Sequence, residues 1–210
     1  MNSIFITGTD TGVGKTYVTV QLIKQLNKLG FKTLGIKPIA SGCELNEKNE
    51  WANADALALQ EASSIKQPYS IVNPIALKEA IAPHLAAEKE NKQLSVLDTL
   101  NRILSSIQSH ADIHFIEGVG GWAVPLNHNE LLSDMVKQLN IPVILVVGIR
   151  LGCLNHAILT SRNIQEMNIP FIGWIANCID PDMLEIDANI NTLKKFIPVP
   201  CLSVIPFSRE

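Results

Sequence analysis

Charge is scarce in this chain, and that scarcity already narrows the possibilities. Only 18% of the 210 residues are charged, below the quarter or so usual in soluble domains, which argues against a disordered or solvating polypeptide. Neither sign dominates: 17 basic residues against 20 acidic ones leave a net charge of −3. Such a balance offers nucleic acid or an anionic membrane no general attraction, so any phosphate must be held by local geometry. Long apolar runs are missing too. The longest, Ile141–Ile149, contains Pro142 and Gly148 and falls far short of the ~20 residues a membrane helix needs. The amino terminus, Met1-Asn2-Ser3, has no basic region, so no signal peptide is expected. Cys43, Cys153, Cys178 and Cys201 form no CxxC pair. They read as reduced thiols of a cytoplasmic protein, with a disulfide left open only by their even number. No GxSxG elbow, HExxH motif or Cys–His pairing at catalytic spacing occurs, which leaves hydrolase readings without support. His110 and His114 have helical ligand spacing, but His114 falls on a predicted strand and His110 before it, so a shared metal is not expected.

What the chain does contain is apolar sequence in regular pieces. Forty-seven per cent of residues are hydrophobic, enough for a sizeable core, and the length suits one domain over 1–210. Ser3–Thr7 reads as a short strand feeding a glycine-rich turn. Val18, Leu22, Ile23, Leu26 and Leu29 then recur at helical spacing, with Gly30 placed as a helix C-cap. Thr33–Ile36 is a second strand, stopped by Lys37-Pro38, and a helical pattern spans Ala54–Ala62. Residues 63–94, with Pro68, Pro74 and Pro83, lack a clean period and are expected to form an irregular connection or lid. Ser95-x-x-Asp98 resembles a capping box ahead of Val96, Leu97, Leu100, Ile103, Leu104 and Ile107. Strand Ile113–Glu117, helix Leu131–Leu139 and strand Val143–Val147 follow. A helix around Leu154–Met167, strand Ile172–Ala176, helix Met183–Phe196 and strand Leu202–Ile205 complete the pattern. Apolar strands separated by helices predict an α/β fold, a single doubly wound, mostly parallel sheet with helices on both faces. Trp51, Trp122 and Trp174 are expected to pack rather than to form a stacking platform.

The first chemical signal is GTDTGVGKT, Gly8 to Thr16, which follows a strand and opens a helix. Glycines there let backbone N–H groups point at phosphate oxygens, the helix N-terminus favours an anion, and Lys15 adds a point charge. The Thr16 hydroxyl would face magnesium. Five residues rather than the usual four separate Gly8 from Gly14. Glu117 is the second signal, a carboxylate at the carboxyl end of an apolar strand, where such folds hold magnesium. Asp55 carries less information, because an acid in a helix's first turn is ordinary. Lys37 ends the second strand, and Ser41-Gly42 follows. In an open parallel sheet Lys15, Lys37 and Glu117 should converge on one solvated crevice, an arrangement suited to phosphoryl transfer.

Together GTDTGVGKT, KPIASG (37–42), NADALALQ (53–60), NP…APH (73–84), EGVGGWAVPL (117–126), PVILVVGIRLGCLNHAILT (142–160) and GWIANCID (173–180) resemble the dethiobiotin synthetase family. The resemblance covers nearly the whole chain in order, and its lysine-proline and LGCxNH-like segments are not general features of phosphate-loop proteins. It implies an ATP- and Mg2+-dependent carboxylase that closes a ring in biotin synthesis. Carbon dioxide adds to one amine of 7,8-diaminononanoate, ATP phosphorylates the carbamate, and the second amine displaces phosphate to give the cyclic urea. Lys15 and Lys37 are then the catalytic residues. Thr16, Asp55 and Glu117 form the magnesium shell, and Thr11 and Ser41 contact substrate. Nucleotide contacts are implied at Gly12, Val13, Gly14, Lys15, Thr16 and Tyr17, and at Asp55, Glu117, Gly118, Val119 and Gly120. Asn177, Cys178, Pro206, Phe207 and Ser208 match the base-binding segments. Gly152, Cys153, Leu154 and Asn155 resemble a segment that a partner subunit lends to the substrate's carboxylate tail, which implies a homodimer with composite sites. Leu154, Ala157, Ile158 and Ile164 can form an apolar helix stripe, either at that interface or packed on the sheet. The chain ends at Glu210, soon after Pro206, where members of the family often run on, so a base pocket partly absent or differently built is expected, with ATP and CTP both open as nucleotide.

Two other classes share the motif. A partitioning-type switch ATPase has the same loop and fold, but its signature lysine near the loop start aligns with Asp10, and its strand-end carboxylate is usually Asp rather than Glu117. A cobyrinate-type amide ligase would need an appended glutaminase domain, for which 210 residues leave no room.

Overall fold

The computed structural model describes residues 2–47 and 49–208; Met1 and Glu210, the ends of the expected domain, lie outside them. Its spine is a six-stranded sheet whose paired strands are all parallel. The strands are β1 (Asn2–Gly8), β2 (Thr33–Ile36), β7 (Ile113–Glu117), β8 (Val143–Ile149), β9 (Phe171–Cys178) and β10 (Cys201–Ile205). They lie in the order β10-β9-β8-β1-β7-β2. β1 sits between β7 and β8, with Ile6 beside both Glu117 and Ile144. The strand order reverses there, and such a switch point leaves a crevice above the carboxyl ends.

Both faces of the sheet are covered, as alternation along its strands requires. Phe5 packs with Leu100 and Ile103 of α5 (Val96–Ser106) and Met135 of α6 (Leu132–Leu139). Its neighbour Ile6 packs on the opposite face with Val18 and Ile23 of α1 (Lys15–Lys28) and Leu59 of α2 (Ala54–Ala62). Leu145 and Val147 of β8 meet Ala157 of α7 (Cys153–Glu166) and Leu193 of α8 (Ile186–Phe196). The expected apolar stripe of α7 therefore belongs to the sheet. Ala157 and Ile164 are fully buried; Leu154 and Ile158 pack with Ala157, and Ile164 packs in the cluster of Phe5 and Met135. Leu151 and Leu159, outside that stripe, are the exposed leucines of this region.

Several boundaries move for physical reasons. β8 and β9 run two residues past their expected ends, because Gly148 and Asn177 continue the ladder between the strands and stay buried. α8 begins at Ile186 rather than Met183, after Glu185 takes the left-handed conformation at φ +55°. Residues 63–94 are not structureless: they hold α3 (Tyr69–Val72), β6 (Ile75–Ala76) and α4 (Pro83–Lys89). β6 pairs with β3 (Ile39–Ala40), and a small hairpin joins β4 (Glu44–Leu45) to β5 (Trp51–Ala52). These pieces are too short to show a period. The cap ahead of α5 is half of the expected box. Ser95 Oγ accepts from Asp98 N–H at 3.1 Å, while the Asp98 carboxylate accepts from Arg102 at 2.8 Å. Trp122 and Trp174 are core residues, but Trp51 is 38% exposed and lies under Lys78, 4.8 Å from ring centre to Nζ. All four cysteines are free. His114 is buried on β7 with its Nε2 2.8 Å from Ser109 Oγ, whereas His110 is exposed, so the two share no site.

Candidate active site

Gly12 and Gly14 take φ of +73° and +83°, a conformation that lets the loop after β1 curl back and that a Cβ resists. Gly14 has a second reason to be glycine, since a Cβ there would lie 2.2 Å from Asn177 Nδ2. Asn177, buried near the end of β9, donates through that nitrogen to Val13 O at 2.9 Å. α1 then starts at Lys15 with no side chain capping its N-terminus, which leaves N–H groups free for an anion. Lys15 Nζ donates to Asp10 O at 2.9 Å and also to Gly120 O. Burial, with the neighbouring Lys37 ammonium, pulls its pKa down to about 8 against the opposing pull of Glu117, Asp55 and Asp10.

β2 ends where Pro38 cannot extend a ladder, and the residue before it, Lys37, turns inward. Its Nζ donates to Glu117 Oε1 at 2.6 Å and Gly118 O at 3.0 Å, and lies 3.3 Å from Asp55 Oδ2. Lys37 is only 3% exposed and Glu117 is fully buried, so the expected solvated position of Lys37 is wrong. Burial disfavours its charged form, but Glu117 and Asp55 outweigh it and hold its pKa above the ordinary lysine value. Thr16 Oγ1 donates to the same Glu117 Oε1 at 2.8 Å. The other carboxylate oxygen, Oε2, is buried without a hydrogen-bond partner. Asp55 is placed by Asn53, whose side chain accepts from Asp55 N–H at 3.0 Å and so caps α2.

These groups meet at a cavity of about 940 Å³. Of the sequence-predicted residues, Thr11, Gly12, Gly14, Lys15, Thr16 and Tyr17 line one side, and Lys37, Ser41, Asp55, Val119 and Gly120 the other. Glu117, Gly118 and Val13 lie just beneath the lining. Gly152, Cys153, Leu154 and Asn155 do not reach this cavity; they start α7, with Gly152 and Asn155 exposed. Asn177 and Cys178 end β9 outside the lining, and pairing of Ile205 with Asn177 starts Pro206, Phe207 and Ser208 next to them. Residues the sequence reading missed include Asn53, Asp10, and the wall formed by Ala80, Ile81, Ala82 and Pro83. Asn53 carried a readable signal, an asparagine just ahead of a helical run. Asp10 accepts a salt bridge from Arg150, which no local pattern announces. The wall had only Pro83, at the first turn of α4.

A family model described as an AAA domain matches residues 2–210. Among curated proteins the chain is similar to the ATP-dependent dethiobiotin synthetase BioD of Cellvibrio japonicus, 48% identical over 97% of this chain and 89% of that one. It is similar also to the protein of that name from Pseudoalteromonas translucida, 46% identical over 100% of this chain and 92% of that one. Among solved structures it resembles the septum site-determining protein MinD complexed with Mg-ADP from Pyrococcus horikoshii. That match has a TM-score of 0.59 and 19% identity, over 98% of this chain and 81% of the other. A ParA family ATPase from Chlorobium tepidum matches with a TM-score of 0.58 and 14% identity, over 99% and 85%. At such identities the structural likeness is one of fold alone.

Proposed function

The chain belongs to the ATP-dependent dethiobiotin synthetase family and is a ligase of that activity; we propose that the reaction runs in the cavity above β1, β2 and β7, with Lys15 and Lys37 as its catalytic residues. The observation that carries this reading is the cluster in which buried Lys37 Nζ lies 2.6 Å from buried Glu117 and 3.3 Å from half-exposed Asp55, beside the phosphate loop. In the reaction the family implies, an amine of 7,8-diaminononanoate adds to CO2 and loses a proton, giving a carbamate. A carbamate oxygen then attacks the γ-phosphorus of ATP as ADP leaves. The second amine attacks the carbonyl carbon, phosphate departs with the bonding electrons, and the amine gives up a proton, which the departing phosphate can take, as the ring closes. No strong base is required, because the carbamate is already an oxygen nucleophile and the amine needs orientation. Lys15 and Lys37 hold positive charge where negative charge shifts between carbamate and phosphate.

Magnesium fits this site. Glu117 Oε2 is a buried oxygen without a partner, and Thr16 and Asp55 bring further oxygens of the kind a hard cation takes. Two lysines against two carboxylates leave the floor without net charge, so a triphosphate needs another cation. Thr16, Asp55 and Glu117 would hold it, and when bound it would supply charge against the nucleotide phosphates. Among the described residues no three His, Cys, Asp or Glu side chains gather, which suits an ion that keeps waters and substrate oxygens as ligands.

Ser41 Oγ, buried without a hydrogen-bond partner at the cavity wall, supports its role with Thr11 in holding the diamine. Gly12 to Tyr17 and Gly118 to Gly120 would take the phosphates. Asn177, Cys178 and Pro206 to Ser208 would take the base. The exposure of Gly152 and Asn155 outside their own chain's cavity supports a homodimer in which each lends this segment, with Cys153 and Leu154, to its partner's substrate. We place the enzyme in the cytoplasm and give it no nucleic-acid or membrane partner; among the described residues no helix is long and apolar enough to cross a membrane. Phosphate release measured with ATP, bicarbonate and diaminononanoate, each omitted in turn, tests the whole reading. Turnover should vanish without the diamine. Diamine-independent turnover would move the protein to the switch-ATPase class.

A further inference from the structure

Lys37 closes β2, Ser41 follows β3, and Asp55 opens α2, three separate pieces of chain. One hydrogen-bond chain joins the main chains of all three from behind the cavity. Asn73, 3% exposed, donates through Nδ2 to Lys37 O at 2.6 Å and to Ile75 O at 3.3 Å. Two carbonyls on one end of the amide leave its oxygen to face the other way. There it accepts from Tyr69 Oη at 3.0 Å. Tyr69 Oη in turn accepts from Asn53 N–H at 2.8 Å. Asn53 Oδ1 caps Asp55 N–H and Ala56 N–H, at 3.0 and 3.4 Å, and its Nδ2 donates to Ser41 O at 3.1 Å. Neither Asn73 nor Tyr69 lines the cavity of the reacting groups.

We propose that Tyr69 and Asn73 are positioning residues: through this chain they fix the register of Lys37 against Asp55, and so the spacing of ammonium and carboxylate over Glu117. The proposal rests on the reading that Lys37 and Asp55 serve the reaction and its metal. Four features support a positioning role over plain packing. Tyr69 is a four-residue helix's first residue, and a helix that short has little stability of its own. Its hydroxyl is used twice, as donor and as acceptor, which packing does not require. Burial raises its pKa to about 12, so the donor stays protonated across any working pH. The polar links lie between elements that otherwise pack through apolar contacts, Leu34 and Ile36 with Ala56 and Val72. Apolar contact of this kind tolerates small slips, whereas a hydrogen bond with fixed direction does not.

The test compares Tyr69→Phe with Asp55→Asn in the full chain. Binding of Mn2+, used as a spin probe for Mg2+, is titrated in the presence of a non-hydrolysable ATP analogue, and kcat and KM for the diamine are measured alongside. Tyr69→Phe should weaken Mn2+ binding about three- to tenfold and lower kcat about tenfold, within the range seen for partners that orient a metal ligand. KM for the diamine should change less than about twofold, because Asn53 Nδ2 still holds Ser41 O and Thr11 belongs to the phosphate loop, outside this hydrogen-bond chain. In the double variant, Tyr69→Phe should shift the Mn2+ midpoint no further than Asp55→Asn alone. The midpoint is a concentration and not an amplitude, so partial unfolding leaves it where it was. A lower active fraction with an unmoved midpoint would overturn the proposal, as would additive shifts in the double variant. If Asp55→Asn itself leaves the midpoint unmoved, the metal reading of Asp55 fails first, and the role of Tyr69 falls with it.

Discussion

Lys37 and Glu117 are sealed into the carboxyl end of the sheet, whereas Gly152 and Asn155 stand exposed at the start of α7. At the first position Lys37 is held by Glu117, Gly118 and Asp55, and Thr16 by Glu117, while Glu117 Oε2 has no partner. At the second, Gly152 takes φ +91° with no atom within 4 Å of the Cβ it lacks, and no side chain caps the helix it starts. The floor is therefore organised before any ligand arrives, and its cost is already met by folding. The start of α7, which we propose as the rim of a partner's site, stays open to solvent. A site made this way should respond to mutation in two different manners, through stability and chemistry together at the floor, and through assembly and binding at the rim.

The largest expected effect lies at the floor. Lys37→Met should lower turnover on the order of 10²–10³, as loss of one charge-stabilising group does. Because it strands a buried carboxylate, it should also cost about 3–5 kcal/mol of stability. Adding Glu117→Gln should restore most of the stability and none of the activity, readable from thermal melts beside phosphate release. Lost turnover with an unchanged melt would mean that the floor is wetter than its burial implies. Next, Glu117→Gln alone should raise the Mg2+ concentration for half-maximal activity about tenfold, or ~1.4 kcal/mol, since a neutral amide is a poorer ligand. An unchanged midpoint removes Glu117 from the metal shell.

The rim is tested by mixing. Lys37→Met and Asn155→Ala proteins should each be impaired. Co-expressed one to one, random pairing makes about half the dimers mixed, each with one intact site, so activity should recover to about a quarter of wild type. If mixed dimers form yet give only the average of their parents, the site lies within one chain and the contrast between floor and rim loses its meaning. The smallest effect concerns the sheet itself. Desolvation lowers the pKa of buried His114, so the unfolded chain binds its proton first as pH falls. Stability should therefore drop below the unfolded value near pH 6.5, by at most about 1.4 kcal/mol per pH unit from this group. His114→Gln should flatten that decline between pH 6.5 and 5, measured by urea denaturation; an equal slope would assign the loss to other groups.

The same contrast divides what sequence reasoning could reach. α2 and the strands β2 and β7 fall where their apolar patterns place them, and Lys15, Lys37, Glu117 and Thr16 meet because parallel strands bring their carboxyl ends together. Tyr69, Asn73 and Arg150 could not be found that way. The bonds that tie them to the site reach partners 16, 36 and 140 residues distant, and a hydrogen bond leaves no periodic trace. The sequence places Lys37 in a solvated crevice because the carboxyl ends of parallel strands open onto one. Inside the fold, Lys37 turns inward to buried Glu117, to Gly118 O and to Asp55.

The place of β1 has a consequence for how the chain is made. β1 leaves the ribosome before the other five strands of the sheet and is central among them, yet Asn2 finds its neighbour at Ile113 and Phe5 a second at Val143. At about 5–20 residues per second, some 5–20 s of synthesis separate β1 from β7. Through that interval Ile4, Phe5 and Ile6 have α1, α2 and β2 for company but no strand to pair with, and β2 itself is joined to β1 only through β7. Translation must reach Ile113 before β1, the strand that carries the phosphate loop, has a strand to pair with. Nascent chains shorter than about this length should be natural clients of chaperones that shield extended apolar segments, and slowing elongation before β7 should lengthen that dependence.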